Sequence, residues 1–259
     1  MMSLKEMREK CQGPRRAKDT FYGRYVMRRL SIYITALLAP ASVHPTLVNF
    51  VSIIVGLIGA WRLAGGDWFL GILLVNGWYL LDHVDGELAR YRGLRYATGL
   101  FMDTMANPII FPATYFGLGA GLWRQSGDII WFYAGILAAY GALMMIVVPF
   151  CESMVILTRY QQGRLNVSVE KKMPALTPVE RSVSRKVFSW MHECVTFPVF
   201  LPVVTALIVI LTWVDAALLM ALLKGTVSVY ACAVNLVWIS IVAHSVLTQK
   251  IDRHYPGNS

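Results

Sequence analysis

The chain is predicted to be an all-α polytopic membrane protein, with an N-terminal interfacial amphipathic helix followed by six transmembrane helices. Three observations lead there. Apolar residues make up 56% of the 259 positions and charged residues 15%, and mean hydropathy is +0.53, too apolar for an ordinary soluble domain. The apolar residues gather into six segments, each near or above the roughly 20 residues that cross a bilayer. Basic residues alternate between successive connections: nine precede residue 30, three lie in 90–95, seven run from Arg159 to Lys186 and two follow from Lys250, whereas the opposite connections hold only Arg62, Arg124 and Lys224. This positive-inside pattern puts both termini and the 82–107 turn on the cytoplasmic side. It also accounts for the net charge of +9 without nucleic-acid binding.

Residues 1–19 are polar, basic and broken by Gly13 and Pro14, and read as a mobile cytoplasmic arm; residues 20–259 read as one membrane domain. Over about 20–38, apolar Tyr22, Val26, Leu30, Tyr33, Ile34, Leu37 and Leu38 recur at helical spacing, with Arg24, Arg28, Ser31 and Thr35 on another face. Such a helix suits the membrane interface, its arginines towards anionic headgroups. A cleaved signal peptide over 28–42 is argued against by the long basic lead-in. A first spanning helix is argued against by the shortness of the apolar run.

The six spans are placed at about 46–64, 67–90, 96–122, 129–158, 188–213 and 217–247. An even number keeps both ends on one side. The break from Tyr160 to Lys186, basic and containing Pro174 and Pro178, reads as a cytoplasmic loop. Gly117 and Gly121 form a small-xxx-small pattern that permits close helix packing. Cys11, Cys151, Cys194 and Cys232 show no paired spacing, so neither a zinc site nor a disulfide framework is indicated, and buried thiols are expected.

The polar exceptions concentrate between the second and third spans, in DHVDGELARYRGLRYATGLFMDTMAN from Asp82 to Asn107. Asp82 and Asp85 are three residues apart on one helix, and Gly99 and Asp103 are four apart on the next, so each pair shares a face. Antiparallel packing brings the acids level, on the order of 10 Å inside the cytoplasmic boundary at about 1.5 Å rise per residue. Glu152 and Glu193 fall in the same layer. A carboxylate facing lipid costs a few kcal/mol, so this layer is expected to line a common polar cavity. Asp82, Asp85 and Asp103, without histidine or cysteine, suit a hard cation such as Mg²⁺ or Mn²⁺, whose shell is completed by substrate phosphates. Gly86 leaves room for a ligand to approach, and Arg90 can pair with a phosphate oxygen. His83 is expected to be a packing or interfacial residue and Glu87 a solvated spacer.

Asp82-x-x-Asp85-Gly86-x-x-Ala89-Arg90, then eight residues, then Gly99-x-x-x-Asp103-x-x-x-Asn107 resembles the signature of the CDP-alcohol phosphotransferases, D-x2-D-G-x2-A-R-x8/9-G-x3-D-x3-D, at seven of its eight defining positions. The resemblance implies an integral-membrane enzyme, typically a homodimer, that cleaves the diphosphate of a CDP-linked donor, passes the phospho-linked group to an alcohol and releases CMP. Carried onto this chain, it makes Asp82, Asp85 and Asp103 metal ligands and turns Gly86, Ala89 and Arg90 towards the nucleotide, while Gly99 admits a close approach of the third span. The family's T-P-N-x-x-T type pattern, which touches cytidine, corresponds to His44-Pro45-Thr46-Leu47-Val48-Asn49; Pro45 is kept, and Asn49 remains able to hydrogen-bond a base.

Asn107 departs from the pattern. The family's fourth acid helps hold a second metal and acts as general base, whereas an amide offers only a neutral carbonyl oxygen and takes no proton at neutral pH. Three accounts remain open: a subfamily using another base such as Glu152 or Glu193, a substitution introduced to trap substrate, or a silent binding member. The expected reaction is transfer from a CDP-linked donor, CDP-diacylglycerol being favoured because its acyl chains can stay in the bilayer, to an alcohol acceptor in phospholipid synthesis. The runner-up is transfer from a soluble CDP-alcohol to a lipid or polyol. A cation-coupled transporter would call for acids near the midplane and internal repeats, and the sequence has neither.

Overall fold

The computed structural model describes residues 2–13, 19–41, 43–94, 97–162 and 195–249, and among these every regular element is helical. The first helix, α1 (Leu4–Gln12), begins at a reciprocal cap. The Ser3 hydroxyl accepts from the Glu6 N–H, and the Glu6 carboxylate accepts from the Ser3 N–H. These bonds hold the Glu6 carboxyl below its usual range. Met7 and Cys11, one turn apart, are buried against Ile32. Over residues 4–12, therefore, the expected mobile arm is a docked helix. The capping box starts it, and the apolar pair gives it a seam.

A π-helical turn (Gly23–Met27) leads into α2 (Arg28–Leu38). Gly23 lies against the next layer so closely that a Cβ there would sit 3.3 Å from the Tyr79 hydroxyl. Helix α2 has an exposed and a buried side. Leu30, Tyr33 and Leu37 are exposed, while Arg28, Ser31 and Thr35 are buried. Arg28, expected to reach headgroups, is instead 5% exposed and paired with Asp19. The cause is a buried acid, Glu87, towards which the polar face of α2 turns.

The remaining helices are α3 (Pro45–Ala64), α4 (Trp68–Tyr91), α5 (Ala97–Ser126), α6 (Ile130–Gln161), α7 (Phe197–Leu211) and α8 (Ala216–Leu247). Their starts are locally encoded: Pro45 occupies the first turn of α3, and the Asp67 and Asp215 carboxylates accept from the Leu70 and Leu218 N–H groups at the starts of α4 and α8. Helices α3, α6 and α8 are long and apolar enough to cross a membrane, and α7 is a shorter apolar helix. Helices α4 and α5 carry the acid motif. The fifth span was expected over 188–213; its described helix starts at Phe197, and residues 188–194 fall outside the described residues, as does the expected loop from residue 163 onward.

Close backbone approach sets the frame. A Cβ on Gly117 or Gly121 would collide with the Ala60 or Leu63 carbonyl of α3, so this small-residue pair does serve α3–α5 packing. Gly119 and Gly135 meet in the same way between α5 and α6. Below the acid layer an aromatic core closes the bundle, with Phe111 stacked on Phe197 at 4.1 Å and Tyr115 on Tyr230 at 4.2 Å between ring centroids. Of the described cysteines only Cys11 is buried; Cys151 and Cys232, also expected to be buried, lie on exposed faces of α6 and α8.

Candidate active site

The C-terminal half of α4 presents two different faces. Asp82, Asp85, Gly86, Ala89 and Arg90, at successive steps of three, one, three and one, share one side of the helix and line a cavity of about 1630 Å³. Val84, Glu87 and Leu88 turn the other way and are fully buried. From α5, Gly99, Asp103 and Asn107 reach the same cavity at successive intervals of four. Pro108 follows Asn107 directly and, lacking an N–H, leaves the Thr104 carbonyl without its helical donor in this turn. The eight motif positions thus meet around one space, larger than the roughly 300–1,000 Å³ common for small-molecule pockets.

Helix α3 adds Pro45, Thr46 and Asn49 to the wall. Asn49 Nδ2 donates to Asp85 Oδ2 at 2.5 Å, and the two residues are 3% and 8% exposed. Asn49 Oδ1 is buried with no hydrogen bond from the described residues, so this amide still has an acceptor to offer. Arg90 folds back over Gly86: a Cβ on Gly86 would lie 3.2 Å from Arg90 Nη1. The missing side chain therefore makes room for this guanidinium, in addition to any ligand. Arg90 Nε donates to the Cys11 carbonyl at the end of α1, and Lys10 Nζ donates to the Tyr91 carbonyl at 2.9 Å. Helix α1 is consequently fastened to the motif helix.

Several lining residues were not anticipated from the sequence. Asp19, Thr20 and Arg28 come from the segment before and within α2, and Tyr79 and His83 from α4. His83 was assigned a packing role; its Nδ1 lies 2.8 Å from the Tyr79 carbonyl while the ring forms part of the cavity wall. Towards the bundle centre the wall becomes apolar, with Phe111, Met145, Ile146, Phe197 and Val199. One end of the space is thus acidic and hydrogen-bonding and the other suits hydrocarbon or rings.

Two expected site residues are not brought to it by the described structure. Glu152 does not line the cavity; its Oε1 accepts from Ser245 Oγ at 2.7 Å, between α6 and α8. Glu193 lies outside the described residues. Glu87, expected to be solvated, is 0% exposed and accepts from Gln12, Ser31 and Thr35 at 2.7–2.8 Å. A buried carboxylate needs such partners, and α1 and α2 supply them.

The cavity is lined by four carboxylates and two guanidiniums, Asp19, Asp82, Asp85 and Asp103 against Arg28 and Arg90. An all-oxygen donor set with excess negative charge is the chemistry a hard divalent cation prefers. Among the described residues, however, no three acid, histidine or cysteine side chains approach closely enough to constitute a metal-ligand cluster. Asp82, Asp85 and Asp103 share the cavity wall rather than a coordination centre.

No protein-family model matches the chain, and no curated protein sequence is detectably similar to it. Among solved structures, the chain is similar to Mycobacterium tuberculosis phosphatidylinositol phosphate synthase with CDP-DAG bound, at 17% identity and a TM-score of 0.55 over 82% of this chain and 91% of that one. Against the apo form of the same synthase the identity is 17% and the TM-score 0.52, over 82% and 94% of the two chains. At this identity the likeness establishes a shared fold.

Proposed function

We propose that the chain is a metal-dependent phosphotransferase that moves a phosphatidyl or other phospho-linked group from a CDP-linked donor, CDP-diacylglycerol foremost, to the hydroxyl of an alcohol acceptor, releasing CMP. The observation that carries the reading is the meeting of all eight motif positions around one cavity whose far wall is apolar. The shared fold with a synthase described as holding CDP-DAG adds support. An amphiphile with a charged head and hydrocarbon tails matches both ends of that space. On this reading the enzyme is a multi-pass membrane protein whose active site and termini face the cytoplasm, consistent with three helices of spanning length and with the alternation of basic residues. Homodimerisation is part of the proposal.

Asp82, Asp85 and Asp103, which line one cavity without forming a ligand cluster, would have to draw together around Mg²⁺ or Mn²⁺, with the donor diphosphate completing the shell. When bound, the cation would neutralise diphosphate charge and polarise the phosphoryl group under attack. Asn49 fixes Asp85 through its amide and keeps Oδ1 for a base amino group. Arg90, packed over Gly86, offers guanidinium N–H groups to phosphate oxygens. In the reaction, the acceptor oxygen bonds to the phosphorus bearing the lipid, the bridging P–O bond to CMP breaks, and the hydroxyl proton passes to a base. Asn107 cannot take that proton, so another group must do so, Glu152 and Glu193 being the sequence candidates, or the chain binds its donor without turnover.

Purified protein in lipid nanodiscs with Mg²⁺ or Mn²⁺ and radiolabelled CDP-diacylglycerol, offered serine, glycerol phosphate, inositol, inositol phosphate and phosphatidylglycerol, is expected to release CMP with one acceptor. Metal-dependent donor binding without CMP release from any of them would favour the silent member. Absence of both would end the donor reading.

A further inference from the structure

Glu87 stands inside the motif, two residues after Asp85, yet it faces away from the cavity and is completely buried. One of its oxygens accepts from Gln12 Nε2 at 2.8 Å and Ser31 Oγ at 2.7 Å, and the other from Thr35 Oγ1 at 2.7 Å. Arg28 Nη1 lies 3.9 Å away. The rest of the Arg28 guanidinium is committed to Asp19: Nη2 donates to Oδ1 at 2.9 Å, and Nε donates to Oδ2. Gln12 also donates to the Arg28 carbonyl at 2.8 Å. One carboxylate on α4 therefore gathers the end of α1, the buried face of α2 and, through Arg28, the residue that opens the preceding segment.

That segment is cavity wall, since Asp19, Thr20 and Arg28 all line it. Because Glu87 and Asp85 belong to the same rigid helix, whatever Glu87 grips is held in register with the acids. We propose that Glu87 is a positioning residue that acts through Arg28 to set the Asp19–Thr20 wall, and thereby the ligand affinity of the cavity, without touching the ligand. The proposal rests on the reading of the cavity as a CDP-donor site. Removing the carboxylate would leave three buried donors and one guanidinium short of a partner, and the wall they hold would loosen. An amide at the same place keeps the volume and one strong acceptor, and the Ser31 and Thr35 hydroxyls can rotate to accept from it.

The test uses the full chain in nanodiscs as wild type, Glu87→Gln and Glu87→Ala, with two readouts: amide hydrogen exchange over residues 19–35, and titration with CDP in the presence of Mg²⁺. Glu87→Ala is expected to speed exchange across the segment and to weaken CDP binding by about tenfold, a typical effect of losing an outer-shell support. Glu87→Gln is expected to recover most of both. Faster exchange with unchanged CDP affinity would overturn the proposal, and so would a glutamine variant with wild-type exchange and alanine-like binding, because position would then not be what matters. If Glu87→Ala does not fold, Thr35→Val removes a single bond to Glu87 and should shift both readouts in the same directions by less; no shift in either sinks the idea. A wild-type protein that takes up no CDP fails the donor reading, and the exchange result alone then decides whether Glu87 holds the wall.

Discussion

Asn49 Nδ2 lies 2.5 Å from Asp85 Oδ2, so the second turn of α3 is bonded to the second acid of the motif on α4 at a place hidden from solvent. A hydrogen bond to a buried carboxylate is among the stronger kinds, because the charge it serves has lost its water. Asn49→Leu is expected to lower stability by about 1.5–3 kcal/mol, read as a lower thermal midpoint in detergent, and to weaken CDP binding as Asp85 loses its anchor. An unchanged midpoint with unchanged binding would show the contact to be idle.

The α3–α5 frame depends on backbone contact at Gly121, where an added Cβ would run into the Leu63 carbonyl and the Trp68 ring. Gly121→Ala should cost about 1–3 kcal/mol through overpacking, with loss of the folded protein during purification as the extreme. Gly225→Ala, where no described atom beyond the adjoining turns of its own helix lies within 4 Å of the new Cβ, is the control and should be neutral or slightly stabilising. Equal behaviour of the two variants would mean that α3 and α5 are not pressed together as described.

Metal-dependent binding of a fluorescent CDP analogue should fall by about 10- to 100-fold or more in each of Asp82→Ala, Asp85→Ala and Asp103→Ala, the scale seen when support of a metal site is lost. The three residues line one cavity, so each variant should act on the same ligand. Chelation of the divalent cation should have the same effect on wild type and add nothing further to the variants. Full affinity in all three would remove the metal-site reading.

Much of this arrangement was legible before folding. The apolar segments ended where charges or prolines began, and α3, α4, α6 and α8 lie within a few residues of the expected spans because those signals are local. The convergence of Asp82, Asp85, Asp103 and Asn107 followed from helical spacing on two consecutive spans. What escaped notice is non-local. Glu87 looked solvated because its partners Gln12, Ser31 and Thr35 are 75, 56 and 52 residues away, and spacing within α4 carries no trace of them. The polar stripe Arg28, Ser31, Thr35 was visible, but its periodicity alone does not say whether a polar face meets water or a buried acid. Helix α1 was concealed by its charge, although Ser3-x-x-Glu6 and the Met7–Cys11 pair were the signals for it.

Topology can be read from opposite ends of the bundle. In a protein with Cys11, Cys151, Cys194 and Cys232 all changed to serine, Lys5→Cys on α1 should react with an impermeant thiol reagent only once the cytoplasmic face is opened. Asp128→Cys, in the exposed turn between α5 and α6, should react on intact cells. The basic excess in the connections on the Lys5 side is the physical ground for this assignment. The reverse labelling pattern would invert the protein and move the acid cavity to the other side of the membrane.

Asn107 decides whether this cavity is complete. It lines the space one helical turn after Asp103, so an acid introduced there would face the same ligand as the motif carboxylates. If the chain lacks a base, Asn107→Asp supplies a proton acceptor and a further oxygen ligand, and CMP release should rise by about 10²-fold or more. If another group already serves, wild type turns over and the substitution adds little. Glu152 is poorly placed for that duty, since it is held by Ser245 between α6 and α8 and does not line the cavity. Glu152→Gln should therefore leave CMP release within a few-fold of wild type, whereas Glu193→Gln should lower kcat with little change in donor affinity if Glu193 is the base. A large loss of kcat in Glu152→Gln with normal donor binding would show that α6 moves its acid into the cavity during the reaction. No CMP from any of these variants across the acceptor panel, alongside intact metal-dependent CDP binding, would identify a protein that holds a nucleotide-linked donor and does not spend it.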